Sequence, residues 1–223
     1  GSLSLDGYIP SEDATVVKRL LAAGATVVGK SVCEDLCFSG ASFTAASGPV
    51  KNPWDQTRNA GGSSSGSAVL VALDEVDMAI GGDQGGSIRM PSAWSGIVGH
   101  KPTYGLVPYT GTFPIERTID HVGPMANSVH DVAVMLDVIA GADGLDSRQK
   151  SPPAVACVAT LDQGVAGLRI GVLREGFAIP GVSEEQVDAQ VKAAVAQLQS
   201  LGATVGEASA PWHSGVAMDM WKV

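Results

Sequence analysis

The spacing of hydrophobic residues along the chain changes repeatedly between the period of a helix and that of a strand. The first predicted helix has apolar residues at positions 16, 17, 20 and 21, and Gly24 ends it as a C-terminal cap. The same criteria predict helices near residue 34 and over 63–73, 128–141 and 183–201, and strands over 25–28, 76–80, 168–173 and 203–205. This alternation is typical of an α/β domain whose helices pack against a central sheet.

Two glycine-rich segments flank one of these helix–strand units. Residues 40–62 are rich in Ser, Gly, Pro, Asn and Thr without periodicity, and residues 81–86 hold four glycines. Long loops inside a compact domain are usually functional or disordered. Residues 88–127 contain five prolines and are predicted to form irregular structure with short strands and turns. Functional residues are therefore expected in and around the two glycine-rich segments.

The composition argues against several classes of protein. The 223 residues are 45% hydrophobic and 17% charged, which is too apolar for a disordered chain and sufficient for a sizeable core. A net charge of −9 without a Lys/Arg cluster argues against a surface for nucleic acid or an anionic membrane. No apolar run reaches the roughly 18 residues of a membrane span. The chain is expected to fold as a globular domain.

The cysteines indicate a reducing environment. Cys33, Cys37 and Cys157 are few and odd in number, which argues against a disulfide scaffold and predicts the cytoplasm. Cys33 and Cys37 share a face if their segment is helical, but two thiols without a histidine pair do not make a zinc site. They are predicted to be core thiols, with a reactive thiol near a substrate pocket as the alternative. We expect neither a metal nor a cofactor.

One motif matches a phosphate-binding loop. From Gly24 to Ser31 the chain satisfies the pattern G-x-x-x-x-G-K-S. Such a loop follows a strand, so that its flexible residues can turn N–H groups onto phosphates. Here a predicted helix precedes it, and residues 26–28 are β-branched and favour a strand. Nucleotide binding is therefore a remote alternative, and Lys30 is predicted to be a charged residue at the end of a strand.

A second motif matches the nucleophile elbow of α/β-hydrolases. From Gly62 to Gly66 the chain satisfies G-x-S-x-G, with Ser64 at the centre. An elbow requires a strand before the serine, whereas residues 56–62 form a polar loop. A Ser-His-Asp triad nevertheless stays open as an alternative, because histidines follow at His100, His121, His130 and His213.

A longer pattern is more specific. It consists of Gly61-Gly62-Ser63-Ser64-Ser65-Gly66-Ser67-Ala68 and Gly82-Asp83-Gln84-Gly85-Gly86-Ser87-Ile88-Arg89-Met90-Pro91-Ser92, with further blocks at Gly48–Trp54, Gly99–Thr103 and Asp120–Met125. These blocks resemble the amidase signature family of serine amidohydrolases over nearly the whole chain. The resemblance implies a fold with a central mixed β-sheet covered by helices on both faces, of which residues 1–223 form an incomplete domain.

The resemblance implies roles for two serines. Ser87 matches the family's nucleophile, and Ser63 matches a serine that follows a cis peptide bond and passes the nucleophile's proton to a neutral lysine. Amide hydrolysis needs such a nucleophile and a route for its proton. A cis bond before a residue other than proline is rare, and glycine neighbours ease its geometry.

The residues around Ser87 are assigned by the same resemblance. Gln84, Gly85 and Gly86 are expected to form the oxyanion hole, because consecutive backbone N–H groups in a glycine loop can converge on one oxygen. Asp83 and Arg89 are expected to pair and to hold the loop in shape.

The base implied by the resemblance has no counterpart in the sequence. The family's lysine lies in a block resembling Val-Lys-Asp, upstream of the helix that begins near Asp13, and Lys30 corresponds to a different family lysine at a strand end. No Val-Lys-Asp block occurs in residues 1–223. We therefore expect an internal fragment without the catalytic lysine and most of the acyl pocket, inactive by itself.

Two segments bear on the substrate. Gln84 departs from the threonine common in glutamine-dependent tRNA amidotransferase subunits, and Phe113–His121 resembles the amidases of nitrile-degradation pathways. We expect hydrolysis of aliphatic or aromatic amides to acid and ammonia. An amidotransferase-type subunit that releases ammonia from glutamine or asparagine is the alternative. The partners expected are a small amide substrate and, in the intact protein, a second copy as a homodimer, with neither nucleic acid nor membrane.

Overall fold

The structure, a computed structural model, describes residues 1–210; His213, the last histidine of the triad alternative, lies outside the described residues. The chain divides into two compact units, residues 1–161 and 162–223. Among the described residues, no helix combines the length and the apolar character that crossing a membrane requires.

The secondary structure consists of short helices and strands separated by long connections. The helices are α1 (Thr15–Ala22), α2 (Ser65–Ala72), α3 (Arg89–Ser95), α4 (Val129–Ile139) and α5 (Glu185–Ser200). The strands are β1 (Met78–Gly82), β2 (Val98–Gly99), β3 (Val122–Ala126), β4 (Arg169–Leu173) and β5 (Thr204–Ala208). Short 3-10 turns lie at Leu3–Leu5, Asp35–Cys37, Val158–Gln163 and Arg174–Gly176.

The first unit is built on an antiparallel sheet with strand order β1-β3-β2. Side chains alternate between the faces of a strand, and the central strand β3 is buried along its whole length. Val122 packs on one face in a cluster with residues of α1 and α4. Met125 packs on the other face with Ala68 of α2 and with Ile88, which immediately precedes α3. Helices therefore cover both faces of this sheet.

The second unit contains a parallel pair. β4 and β5 align from Arg169 opposite Thr204 to Leu173 opposite Ala208, and α5 forms the crossover that parallel strands require. The described strands thus form one antiparallel sheet and one separate parallel pair. The predicted α/β class is confirmed. The predicted apolar face of α5 is not core within the described residues, since 58% of Val187 and 45% of Val191 is exposed.

Three local predictions are wrong. Residues 25–28 form no strand, because no described strand pairs with them, and Val27 and Val28 are exposed. The helix expected near residue 34 is only the 3-10 turn Asp35–Cys37, since Leu36 has the left-handed φ of 46°. Helix α3 was not predicted, because Pro91 suggested irregular structure. The first turn of a helix tolerates proline, since its missing N–H would have no helical partner there.

The start of α4 follows the prediction. Ser128 precedes the helix in an extended conformation, and its Oγ accepts a hydrogen bond from the N–H of Asp131 at 3.0 Å. The same Oγ donates to the Asp131 carboxylate at 2.6 Å. One of the free N–H groups of the first turn is thereby satisfied.

A buried ion pair holds the loops of the first unit together. Arg148 Nη2 lies 2.7 Å from Asp146 Oδ2, with 7% and 3% of the two side chains exposed. The guanidinium also donates to the carbonyl of Asp120 at 2.9 Å and lies 4.7 Å from the centre of the Tyr109 ring. The N–H of Tyr109 donates to Asp146 Oδ2 at 2.8 Å. The pair therefore links residues that are far apart along the chain.

We predict that Arg148→Met lowers the free energy of unfolding by about 3–5 kcal/mol, because it leaves the buried Asp146 carboxylate without its cation. Urea unfolding followed by tryptophan fluorescence measures this loss. The matched control is Lys18→Met, which breaks the exposed pair between Lys18 and Glu12 and should leave the free energy of unfolding almost unchanged, because solvent screens both charges. Equal losses in the two variants would contradict the role of burial.

The glycine at position 81 is required by close packing. A Cβ built on Gly81 would lie 2.8 Å from side-chain atoms of Ile88, Met125 and Ser64. The next residue, Gly82, faces the other side of β1, and its Cβ would meet nothing closer than 3.8 Å. The α2 and α3 side of the sheet therefore leaves no room for a methyl group at position 81.

Gly81→Ala is expected to lower the free energy of unfolding by about 1–3 kcal/mol, because the added methyl group overpacks this contact. Gly82→Ala in the same strand serves as the control and should change it by less than about 1 kcal/mol. The shift of the urea midpoint in each variant gives the comparison. A Gly81→Ala variant as stable as Gly82→Ala would show that the packing relaxes freely.

Candidate active site

Ser63 lies at the end of the first glycine-rich segment, two residues before α2 begins. The Gly62–Ser63 peptide bond is cis. The residue is 1% exposed, and its carbonyl accepts a hydrogen bond from the N–H of the buried Glu34 at 3.1 Å. Within residues 1–210 the buried Oγ of Ser63 has no hydrogen-bond partner. This hydroxyl is therefore available both to accept and to donate a proton.

Ser87 lies in the loop of residues 83–88 that joins β1 to α3. The N–H of Ser64 donates to the carbonyl of Ser87 at 3.2 Å, so the loop is bonded to the residue that follows Ser63. Ser87 itself is 7% exposed. The structure thus brings together the two predicted catalytic serines, which are 24 residues apart in the sequence.

The loop is organised around the carboxylate of Asp83, which is fully buried. It accepts hydrogen bonds from the N–H groups of Gly86 at 2.8 Å and Ile88 at 3.2 Å, and from Arg89 Nε and Nη2 at 2.9 Å each. Burial alone would raise the pKa of Asp83, but the Arg89 guanidinium and these amides hold it below its ordinary value. Asp83 and Arg89 therefore form the ion pair that the resemblance implies.

The loop amides separate into two groups. The N–H of Gly86 is bonded to Asp83, and its φ of 132° is accessible to glycine but strained for other residues. The N–H groups of Gln84, Gly85 and Ser87 have no partner in the described part of the chain. The structure thus differs from the sequence interpretation, because the amide of Gly86 is occupied and that of Ser87 is free. No local signal distinguishes these amides, since only the position of Asp83 decides which of them it binds.

A mainly apolar cleft lies between residues 35–44 and residues 113–115. It has a volume of about 390 Å³ and is lined by Asp35, Leu36, Phe38, Thr44, Phe113, Pro114 and Ile115. Tyr109 connects it to the loop: its Oη donates to the carbonyl of Phe113 at 3.4 Å and interacts with the Gln84 side chain. The sequence pattern pointed to the segment that begins at Phe113, which lines one side of this cleft. It did not point to Leu36 and Phe38, because the turn that contains Leu36 was expected to be a helix.

The nucleophile-elbow alternative does not fit this arrangement. Ser64 Oγ accepts from the N–H of Gly82 at 3.1 Å and donates to its carbonyl at 3.3 Å, so the hydroxyl joins α2 to β1. The preceding residues 60–63 are not a strand. Among the described histidines, none hydrogen-bonds a serine: His121 contacts Lys101 and the carbonyl of Ile119, and His130 contacts Asp131.

The phosphate-loop alternative is wrong. Gly24 has a φ of 93° and ends α1, its N–H donating to the carbonyl of Leu21 while that of Ala25 donates to Leu20. This is the hydrogen-bond pattern of a helix C-terminus, whereas a phosphate site presents the N–H groups of a helix N-terminus. The residues after Lys30 are extended and lead into a 3-10 turn instead of a helix.

Among the described residues, no lysine is bonded to either serine. The described lysines have other contacts or none, and no described lysine hydrogen-bonds Ser63 or Ser87: Lys101 Nζ, for example, lies 3.3 Å from His121 Nε2. No group of three or more His, Cys, Asp or Glu residues within residues 1–210 could hold a metal ion.

Comparisons with known proteins agree with this geometry. The sequence profile of the family described as Amidase matches residues 1–222. An enantioselective amidase of Rhodococcus rhodochrous is 55% identical over 227 residues, which cover 100% of this chain and 43% of that protein.

Two solved structures are also similar. The peptide amidase of Stenotrophomonas maltophilia has a TM-score of 0.88 and 39% identity, over 98% of this chain and 46% of that one. A glutamyl-tRNA(Gln) amidotransferase subunit from Thermotoga maritima has a TM-score of 0.89 and 36% identity, over 94% and 46%. The chain thus spans less than half the length of these relatives. With a family profile matched over nearly all its residues and a fold shared with these enzymes, the chain belongs to the amidase signature family.

Proposed function

We propose that the protein is an amidase that hydrolyses the C–N bond of carboxylic acid amides to acid and ammonia through an acyl-enzyme on Ser87. The observation that carries this proposal is the junction of the two serine segments, where the residue after the cis-linked Ser63 is hydrogen-bonded to Ser87. Three free loop amides beside the nucleophile support it. The family to which the chain belongs supports the reaction class.

The first step forms the acyl-enzyme. Ser87 Oγ attacks the amide carbonyl carbon, its proton passes to Ser63 Oγ, and the proton of Ser63 moves on to a neutral lysine. Negative charge develops on the carbonyl oxygen and is stabilised by the N–H groups of Gln84, Gly85 and Ser87. When the C–N bond breaks, the leaving nitrogen takes the proton back along the same route and departs as ammonia. Water then attacks the ester in the same way and releases the acid.

The lysine of this scheme is supplied by a part of the full-length protein that residues 1–223 do not cover. The relatives are more than twice as long as this chain, which leaves room for such a residue. The free and buried hydroxyl of Ser63 supports a neighbouring group of this kind, because a buried hydroxyl is normally hydrogen-bonded.

The substrates are aliphatic or aromatic amides. The mainly apolar cleft, which Tyr109 links to Gln84, supports an apolar acyl group, and the enantioselective amidase at 55% identity supports a stand-alone amidase. An amidotransferase-type subunit that acts on glutamine or asparagine is the second candidate, favoured by the similarity to such a subunit from Thermotoga maritima. Few charged groups line the cleft, which suits an α-amino acid poorly.

We further propose that the enzyme acts without a cofactor, as a cytoplasmic homodimer in the degradation of nitrile-derived amides. The three free cysteines suit a reducing compartment. The resemblance of Phe113–His121 to nitrile-pathway amidases supports the metabolic role.

In the full-length protein, Ser87→Ala should abolish covalent labelling by a fluorophosphonate and lower kcat/KM by roughly 10⁴-fold or more, because the nucleophile is lost. Mass spectrometry of the labelled protein locates the adduct. The matched variant is Ser64→Ala, which should still be labelled at Ser87. Labelling lost in Ser64→Ala and kept in Ser87→Ala would contradict the assignment and support the elbow motif.

Release of ammonia tests both the substrate and the missing base. The full-length protein should release ammonia from benzamide or propionamide with kcat/KM at least about 100-fold above that for glutamine, because its cleft is apolar. Residues 1–223 alone should release none, since no lysine completes the proton route. Hydrolysis by residues 1–223 at the full-length rate would refute the role of the lysine, and a preference for glutamine would favour the amidotransferase alternative.

A further inference from the structure

Asp120 is a buried acidic residue that the proposed reaction does not use. It is the first residue of the Asp120–Met125 block and is 1% exposed. Its carboxylate accepts a hydrogen bond from the N–H of Ile115 at 3.0 Å, and the N–H of Glu116 lies 3.1 Å from each of its oxygens. Its own N–H donates to the carbonyl of Glu116 at 2.9 Å. Asp120 therefore closes residues 115–120 into a compact loop.

This loop begins at one wall of the cleft of about 390 Å³. That wall consists of Phe113, Pro114 and Ile115. Asp120 itself does not line the cleft, but its carboxylate binds the backbone N–H of Ile115. The position of the wall therefore depends on a buried group behind it.

The residue after Asp120 is bonded to the loop that contains Ser87. The carbonyl of His121 accepts a hydrogen bond from the N–H of Asp83 at 3.0 Å, and the Asp83 carboxylate binds the loop amides on both sides of Ser87. Strand β3 begins immediately after His121 and pairs with β1, which anchors this contact in the sheet. Two adjacent residues, Asp120 and His121, thus join the cleft wall to the nucleophile's loop.

The opposite wall of the cleft is joined to the segment of the other serine. This wall consists of Asp35, Leu36, Phe38 and Thr44. The neighbouring Glu34 is fully buried, and its Oε2 accepts hydrogen bonds from the N–H and Oγ1 of Thr44 at 3.0 and 2.6 Å. The N–H of Glu34 donates to the carbonyl of Ser63 at 3.1 Å. Each wall is therefore bonded to the segment of one serine, and the same contacts set the width of the cleft.

We propose that Asp120 is a positioning residue that sets the selectivity for bulky acyl groups, by holding the wall at Ile115 in place relative to the loop of Ser87. This inference rests on the proposed function, in which the cleft receives the acyl group of the amide. An aromatic acyl group contacts both walls, whereas the small acyl group of propionamide contacts less of them. A displaced wall therefore impairs an aromatic substrate more than a small one, because small errors in position lower the rate strongly.

The test compares two amides in the full-length protein. Asp120→Asn keeps the shape of the side chain but replaces one oxygen by an NH2 group, so that only one oxygen is left to accept from the N–H groups of Ile115 and Glu116. The value of kcat/KM for benzamide should fall at least about tenfold more than that for propionamide, mainly through KM. Titration of Ser87 with a fluorophosphonate gives the concentration of active enzyme. Loss of folded protein alone would lower both rates by the same factor.

Asp137 provides a matched control. Its carboxylate also accepts hydrogen bonds from two consecutive N–H groups, those of Cys157 at 2.7 Å and Val158 at 3.1 Å. None of these three residues lines the cleft. Asp137→Asn should therefore leave the ratio of the two kcat/KM values unchanged, although it weakens the same kind of contact.

A second variant tests whether Asp120 acts through the wall. Ile115→Ala removes an apolar side chain from the wall and should also lower kcat/KM for benzamide relative to that for propionamide. In the double variant, Asp120→Asn should add less to this loss than it causes alone, because both changes act on the same contact. Ile115→Ala does not touch the Asp120 carboxylate, so it can be measured even where Asp120→Asn does not fold.

Three results would overturn the inference and leave the proposed function in place. The first is an equal fall of both kcat/KM values in Asp120→Asn, and the second is an equal loss of selectivity in Asp137→Asn. The third is an unchanged ratio in Ile115→Ala. Failure of the unchanged full-length protein to release ammonia from either amide would instead refute the proposed function, and the role of Asp120 with it.

Discussion

The carboxylate of Asp83 is the group on which the site depends most. It is buried in the loop of residues 83–88, and it is bonded to backbone N–H groups on both sides of Ser87 and to the guanidinium of Arg89. A buried carboxylate is stable only when such partners replace its water, so the loop must wrap around it. Asp83 binds the amides of Gly86 and Ile88, whereas those of Gln84, Gly85 and Ser87 have no partner among the described residues. One structural interaction thereby fixes the backbone on both sides of Ser87 and decides which loop amides have no partner among the described residues.

The second serine is held by a different set of contacts. Hydroxyl groups of α2 bond the end of β1, Ser64 to Gly82 and Ser67 to the carbonyl of Ile80. On the other side, the carbonyl of Val32 accepts a hydrogen bond from the N–H of Gly66 at 2.8 Å. Ser63 is thus fixed between a sheet and an extended segment, while its own hydroxyl stays unbonded. The serines of this segment therefore differ in their contacts, since the hydroxyl groups of Ser64 and Ser67 bond β1 and that of Ser63 has no partner among the described residues.

Much of the fold could be predicted where the signal is local. The cap of α4 at Ser128 and the helices over residues 65–72 and 185–200 follow from periodicity and capping, which depend on residues a few positions apart. The wrong predictions concern segments whose structure depends on contacts with distant residues. Residues 25–28 have strand propensity but no described strand beside them, and the turn at Leu36 adopts a backbone that its side chain does not favour. In both places tertiary contacts, or their absence, outweigh local preference.

The sequence by itself determined the family and the Asp83–Arg89 pair, because these reside in short motifs whose spacing is particular to one family. Only the tertiary structure decided that the serine segments are bonded to each other and that the Gly86 amide is bonded to Asp83 while the Ser87 amide has no partner among the described residues. The physical reason is that a hydrogen bond between distant residues depends on how strands and helices pack, and no local pattern records which of several equivalent N–H groups that packing will pair.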